Sequence, residues 1–166
     1  MIRTSILLLA FAIGAFAQAK VAIINSQQSV VETAEIKKAQ AELEAKFKPR
    51  QAQIETLQKE IADLQTQLQQ GRGKFTPQAE QNMVAQGNRK QRELQRLGED
   101  LQADVDRERQ EILGRSSERM QQIVRKLAEE RALDVVIDVS NTIYFKPALE
   151  ITKEATAAYD KAYPVQ

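Results

Sequence analysis

The stretch Ile54–Pro77, IETLQKEIADLQTQLQQGRGKFTP, decides the fold. Ile54, Leu57, Ile61, Leu64 and Leu68 recur at alternating steps of three and four, which lines them up on one stripe of a helix with the period of a coiled-coil seam. Gly71-Arg72-Gly73-Lys74-Phe75-Thr76-Pro77 then ends the pattern. It supplies two glycines that can take positive φ, a threonine that can cap, and a proline suited to the first turn of a following helix. A striped helix that stops, reverses and starts again predicts a helical hairpin with its tip at 71–77.

Working back toward the start, the stripe continues through Phe47, Leu43 and Ile36, with polar gaps at Gln40 and Arg50, so one helix is expected over about 27–70. Working forward, Met83, Leu94, Leu97, Leu101, Val105, Ile112, Met120, Ile123 and Leu127 predict a return helix over about 78–131. The steps of four through 97, 101 and 105 drift toward an 11-residue repeat, so supercoiling should be mild. Gly87, Gly98 and Gly114 interrupt the return helix, each at a cost of about 1 kcal/mol relative to Ala. With the turn centred near Lys74, Gly98 is expected beside Pro49, the one proline of the outgoing helix, and the pair is read as a mid-arm hinge.

Both ends of the chain carry strand signals instead. Val21-Ala22-Ile23-Ile24-Asn25 is short and β-branched, with Asn25 or Ser26 placed to cap the helix after it. Leu133–Val139 and Thr142–Phe145, separated by Ser140-Asn141, predict a strand hairpin ended by Lys146-Pro147. A last helix is expected to about Ala162, capped by Thr152 and burying Ala155, Ala158, Tyr159 and Ala162. The fold class is mainly α with a small β base (α+β). Its expected parts are a discontinuous base over 20–35 and 128–166 and a helical-hairpin arm over 36–127. Three short strands make a sheet with exposed edges, so the base is expected to associate with other copies through Val21, Ile23, Val135, Ile137, Val139, Ile143 and Phe145.

Residues 1–19 read as a secretory signal peptide. Arg3 precedes the apolar run Ile6–Phe16, and small residues allow cleavage after Ala17 or Ala19. The chain has no cysteine and no histidine, which removes disulfides, thiolate metal sites and the usual acid–base side chain near neutrality. No catalytic group, metal site or cofactor is read. Gly71-Arg72-Gly73-Lys74 lacks both the preceding strand and the spacing of a phosphate-binding loop. Carboxylate pairs such as Asp104/Asp106 and Glu129/Glu130 read as solvated helix faces.

Lys20-Val21-Ala22-Ile23-Ile24-Asn25 near the start, Leu133-Asp134-Val135-Val136-Ile137-Asp138 with Ile143-Tyr144, and Pro147-Ala148-Leu149-Glu150-Ile151-Thr152 near the end together resemble the Skp (OmpH-like) family of periplasmic chaperones. The resemblance spans the whole chain after the leader and rests on its two ends. It implies a homotrimer whose strands form a central base and whose arms enclose unfolded outer-membrane proteins, without nucleotide.

Charge supports an unspecialised binding surface. The net charge is only +1, yet between Leu64 and Gly98 Arg72, Lys74, Arg89, Lys90, Arg92 and Arg96 face only Glu80 and Glu93. With Phe75 at the tip, these residues are the candidate client-binding set. A cationic outer arm would steer acidic clients, or an anionic membrane surface, without a large sticky area. Nucleic-acid binding would need interleaved aromatics or a groove-reading element, and neither is present. The function expected is an ATP-independent periplasmic holdase. The alternative is an exported coiled-coil spacer, which would favour an unbroken seam without mid-helix glycines.

Overall fold

The computed structural model describes residues 19–165. The leader expected over 1–19 lies outside the described residues except for its last position. From there the order is β1 (Val21–Ile24), α1 (Ser26–Val31), α2 (Ala34–Gln70), α3 (Pro77–Glu130), β2 (Val135–Asp138) and α4 (Thr152–Ala162), with 3-10 turns at Val139–Asn141 and Pro147–Leu149.

The two long helices form the expected arm. Their 37 and 54 residues correspond to about 55 and 80 Å of helix. Phe47, Leu57, Ile61 and Leu64 are buried along α2. At the tip Gly73 takes φ +77°, Thr76 accepts from the Ala79 amide, and Pro77 opens α3. A Cβ on Gly71 would lie 2.0 Å from the Phe75 ring, so that ring packs directly against the turn, leaving Phe75 38% exposed. No helix of the described residues is long and apolar enough to cross a membrane.

Instead of one helix over 27–70, the chain breaks at Glu32–Thr33. Asn25 caps α1, and Thr33, fully buried, caps α2 by accepting from the Ile36 amide. Across the arm, Arg50 pairs with Asp104 at 2.6 Å and Lys46 pairs with Glu108. Pro49 therefore lies level with Asp104–Val105, roughly 10 Å of helix below Gly98. The expectation that Pro49 and Gly98 stand side by side is corrected, because the pairing sits several residues further along α3 than a turn centred at Lys74 would give.

The sheet has two strands, β1 and β2, paired in parallel with Val21 opposite Val135 and Ile24 opposite Asp138. The whole arm is thus the crossover between them. A second correction concerns the expected hairpin: Thr142–Phe145 forms no strand, and Val139 belongs to a 3-10 turn. Asp138 accepts from the Ser26 amide and from both the amide and hydroxyl of Ser140. Those bonds curl the chain into a turn at the point where a hairpin would have to fold back. The other edge of β1 is taken by Glu150, which bridges Ile23, while the Ile151 amide donates to the Ile23 carbonyl at 2.9 Å.

One face of this small sheet is buried. Ala22 and Ile24 point into a core with Val30, Ile36, Met120, Ile123, Leu127, Ile151, Ala155 and Tyr159. Each fully buried large side chain there contributes about 1.5–3 kcal/mol. In α4, Thr152 is the first helical residue rather than its cap; its hydroxyl accepts from the Asn25 amide at 2.9 Å, fastening α4 to the end of β1. Ala155 and Tyr159 are buried as expected, Ala158 is half-buried, and Ala162 is exposed because the helix runs out past the core.

Candidate functional site

Side chains alternate across a strand, so Val21, Ile23, Val135 and Ile137 point to the sheet face away from the core. Ile23 is buried there, but Val135 is 42% exposed. Beyond β2, Ile143 is 108% exposed and Tyr144 81% exposed, and Phe145 is half-buried. Val21, Ile23, Val135 and Ile137 share one sheet face; Ile143 and Phe145 lie in the exposed segment beyond it. Tyr144, the exposed aromatic between those two, is the residue the sequence reading left out of this set.

Where the arm leaves the base, Glu35 of the first turn of α2 gathers groups from two other helices. The Arg119 guanidinium donates to both its carboxylate oxygens at 3.0 Å, the Tyr159 hydroxyl donates to Oε2, and Arg115 approaches to 3.7 Å. The Ala34 amide donates to Asp160 at 2.9 Å. Burial raises the Tyr159 phenol above its ordinary value, and the Glu35 bond adds to it. Arg119 is pushed further up by its hydrogen bond to Tyr159 and the Glu35 charge, and it stacks 4.7 Å from the Tyr163 ring. Sequence reasoning did not find this junction. The available signal was Thr33-Ala34-Glu35, a cap followed by an acid in the first turn.

Higher up, the seam gap at Arg50 is occupied by an ion pair. The Arg50 hydrogen bond, with help from Arg107, holds the Asp104 carboxyl below the usual carboxylate range against a desolvation effect that raises it. Lys46 and Arg50 also lie 5.5 and 5.9 Å from the Phe47 ring centroid. The acids clustered on the lower return helix are thus partly engaged in cross-bracing the arm.

In the outer half, Lys90 turns to α2 and pairs with Glu60 at 2.6 Å. Arg72, Lys74, Arg89, Arg92 and Arg96 are exposed and have no ion-pair partner among the described residues. Arg89, Arg92 and Arg96, spaced three and four apart, share one face of α3. The sequence-derived cationic set is therefore split: three on a helix face, two at the tip beside Phe75, and one used in bracing.

Two clefts open at the foot of the arm. One of about 410 Å³ lies between α2 and α3, lined by Leu43, Phe47, Gln51, Val105 and Ile112 among others. The second, about 680 Å³, runs down to Ile24, Val124 and Val136 at the base. Val31 and Leu113 line both. No group of three or more potential metal ligands occurs among the described residues.

Residues 20–159 match the family model described as outer membrane protein (OmpH-like). The chain is 23% identical over 140 residues to a Skp-like protein of Pseudomonas aeruginosa, covering 84% of this chain and 83% of that protein. In fold it is similar to a crystal structure from Caulobacter crescentus CB15 described as an OmpH-like outer membrane chaperone, with a TM-score of 0.73, 20% identity, and coverage of 90% of this chain and 89% of the other.

Proposed function

Because the chain belongs to the OmpH-like family of outer membrane proteins, we propose that it is an ATP-independent holdase of the periplasm that keeps unfolded outer-membrane proteins soluble between its arms. The observation that carries this reading is a long hairpin arm rooted in a small base whose outer sheet face and neighbouring segment leave Val135, Ile143 and Tyr144 exposed. A chaperone role is what the family and the similar structure support.

Association of copies through that face, as a homotrimer, would bury the apolar residues and set several arms around a shared space. The cationic tip and α3 face would draw in acidic clients or rest against anionic lipid, and Pro49 and Gly98 would act as two separate weak points along the arm. Export and removal of the leader belong to the same reading.

The test is dilution of a urea-unfolded β-barrel membrane protein into buffer with and without the mature protein. A holdase suppresses light scattering at near-stoichiometric amounts without nucleotide; a coiled-coil spacer leaves scattering unchanged. Native mass measured alongside, for wild type and Ile143→Asp, should give an oligomer for the first and a monomer for the second.

A further inference from the structure

An aspartate closes each end of the β1–β2 ladder. At the far end Asp138 accepts from the Ser26 amide at 3.0 Å. At the near end Lys20 and Asp134, 114 positions apart in the chain, exchange two bonds. The Lys20 main-chain nitrogen donates to Asp134 Oδ2 at 2.6 Å, and the Asp134 amide donates to the Lys20 carbonyl at 2.9 Å. The Val135 amide reaches the same carbonyl at 3.4 Å, and strand pairing follows at once with Val21 opposite Val135.

The two clasps differ in what satisfies the carboxylate. Asp138 also accepts from the amide and hydroxyl of Ser140. Asp134 has one donor, the Lys20 nitrogen, and no side-chain cation pairs with it among the described residues. That nitrogen stands at one of the two cuts that small residues allow, Ala17-Gln18-Ala19 before Lys20 or Ala15-Phe16-Ala17 before Gln18. Ala19 and Lys20 are both exposed, and Ala19 makes no hydrogen bond among the described residues, so Lys20 is the first residue held by the base.

The two cuts leave different chemistry at this atom. Cleavage after Ala17 keeps the Lys20 nitrogen a neutral amide behind a Gln18-Ala19 overhang. Cleavage after Ala19 adds water across the Ala19–Lys20 peptide bond: Ala19 departs as a carboxylate, and Lys20 keeps an α-ammonium, largely protonated at neutral pH. The single N–H aimed at Asp134 is thereby replaced by a cation with three donors.

We propose that the leader is removed after Ala19 and that the α-ammonium so created pairs with Asp134, so that processing itself clamps the start of the chain onto β2. The inference rests on the reading of the chain as an exported protein. A hydrogen bond between ions is stronger than its neutral counterpart, and at this exposed site the gain is about fivefold in the local closing equilibrium. The first strand of the base is then held most firmly only in the processed chain.

The first test is the intact mass of protein recovered after export of the full-length precursor, which should begin at Lys20; a start at Gln18 would overturn the proposal. The second compares purified chains that begin at Lys20, at Gln18, or at an Nα-acetylated Lys20. Amide exchange over 21–24 and 133–137 should be about fivefold slower in the first than in the other two. Asp134→Asn, which keeps an acceptor and removes the charge, should erase that difference, and about 0.5 M salt should shrink it. Equal exchange in the three forms, or a difference that survives Asp134→Asn, would overturn the clasp. Client holding by the purified Lys20 form is scored separately in the scattering assay, so either reading can fail without the other.

Discussion

Replacing Glu35 by alanine should be the most damaging single change outside the apolar core. The carboxylate is 17% exposed and is the common acceptor for Arg119 and for the hydroxyl of Tyr159, a residue 0% exposed. Truncation leaves that hydroxyl short of an acceptor, at about 1–3 kcal/mol. Loss of the partly exposed Arg119 pair adds about 1 kcal/mol after discounting for solvent. Together these give about 3 kcal/mol, which at a urea dependence of about 2 kcal/mol/M lowers the midpoint by about 1.5 M. Glu35→Gln keeps an acceptor for Tyr159 and loses only the charge, so its midpoint should fall by about 0.5 M. The assay is urea unfolding followed by helical circular dichroism at one fixed protein concentration, since assembly couples stability to concentration. A double-mutant cycle with Tyr159→Phe should return a coupling of about 1 kcal/mol or more. Equal effects of Glu35→Ala and Glu35→Gln, or a cycle that closes to zero, would refute the junction as described.

Local geometry sets three further expected outcomes. Ala132 ends α3 at φ 48°, with the Leu133 amide returning to the Ala128 carbonyl, so Ala132→Gly should stabilise by about 0.5–1 kcal/mol and raise the melting temperature. Gly98→Ala meets no neighbour and should add about 1 kcal/mol of helix stability, read as slower amide exchange over 94–102; unchanged exchange would remove Gly98 as a weak point. Hydrogen bonds from Ser140, then Ser26, hold the Asp138 carboxyl well below the usual range, so its folded pKa lies under its unfolded one. That contribution is present above about pH 4 and lost as pH falls further. Stability should therefore drop on acidification below about pH 4, and less steeply in Asp138→Asn.

The helices, the tip and the meeting of the chain's ends were legible because each has a local signal: steps of three and four, Gly73 before Thr76-Pro77, and β-branched runs at both termini. The break at Glu32–Thr33 was not, since Thr33 sits between residues that suit a helix and its capping role depends on the Ile36 amide it accepts from. The missing third strand failed for a different reason. Thr142–Phe145 has the composition of a strand, but pairing is decided by what lies beside it, and Asp138 has already turned the chain. The candidate cations were found as types but not as a group, because Lys90 and Arg92 are neighbours in sequence and lie on different sides of α3.

The polar gap in the seam links stability to the register in which the two helices pair. Arg50 stands where the stripe calls for an apolar residue, and Asp104 meets it from α3 at 2.6 Å. Such a layer contributes little net stability but disfavours any register that would leave either charge facing apolar neighbours. With Lys46–Glu108 and Lys90–Glu60 it cross-braces α2 to α3 by opposite charges. Asp104→Leu alone should therefore destabilise the arm, stranding Arg50 beside Phe47. The pair Arg50→Leu with Asp104→Leu should unfold at the same or a higher urea concentration than wild type, yet allow the helices to slip. Disulfide trapping between cysteines placed on α2 and α3 in the wild-type register and one heptad out of it reads that slip directly. Trapping of the wild-type register alone in the double variant would show that the apolar stripe by itself fixes how the helices pair.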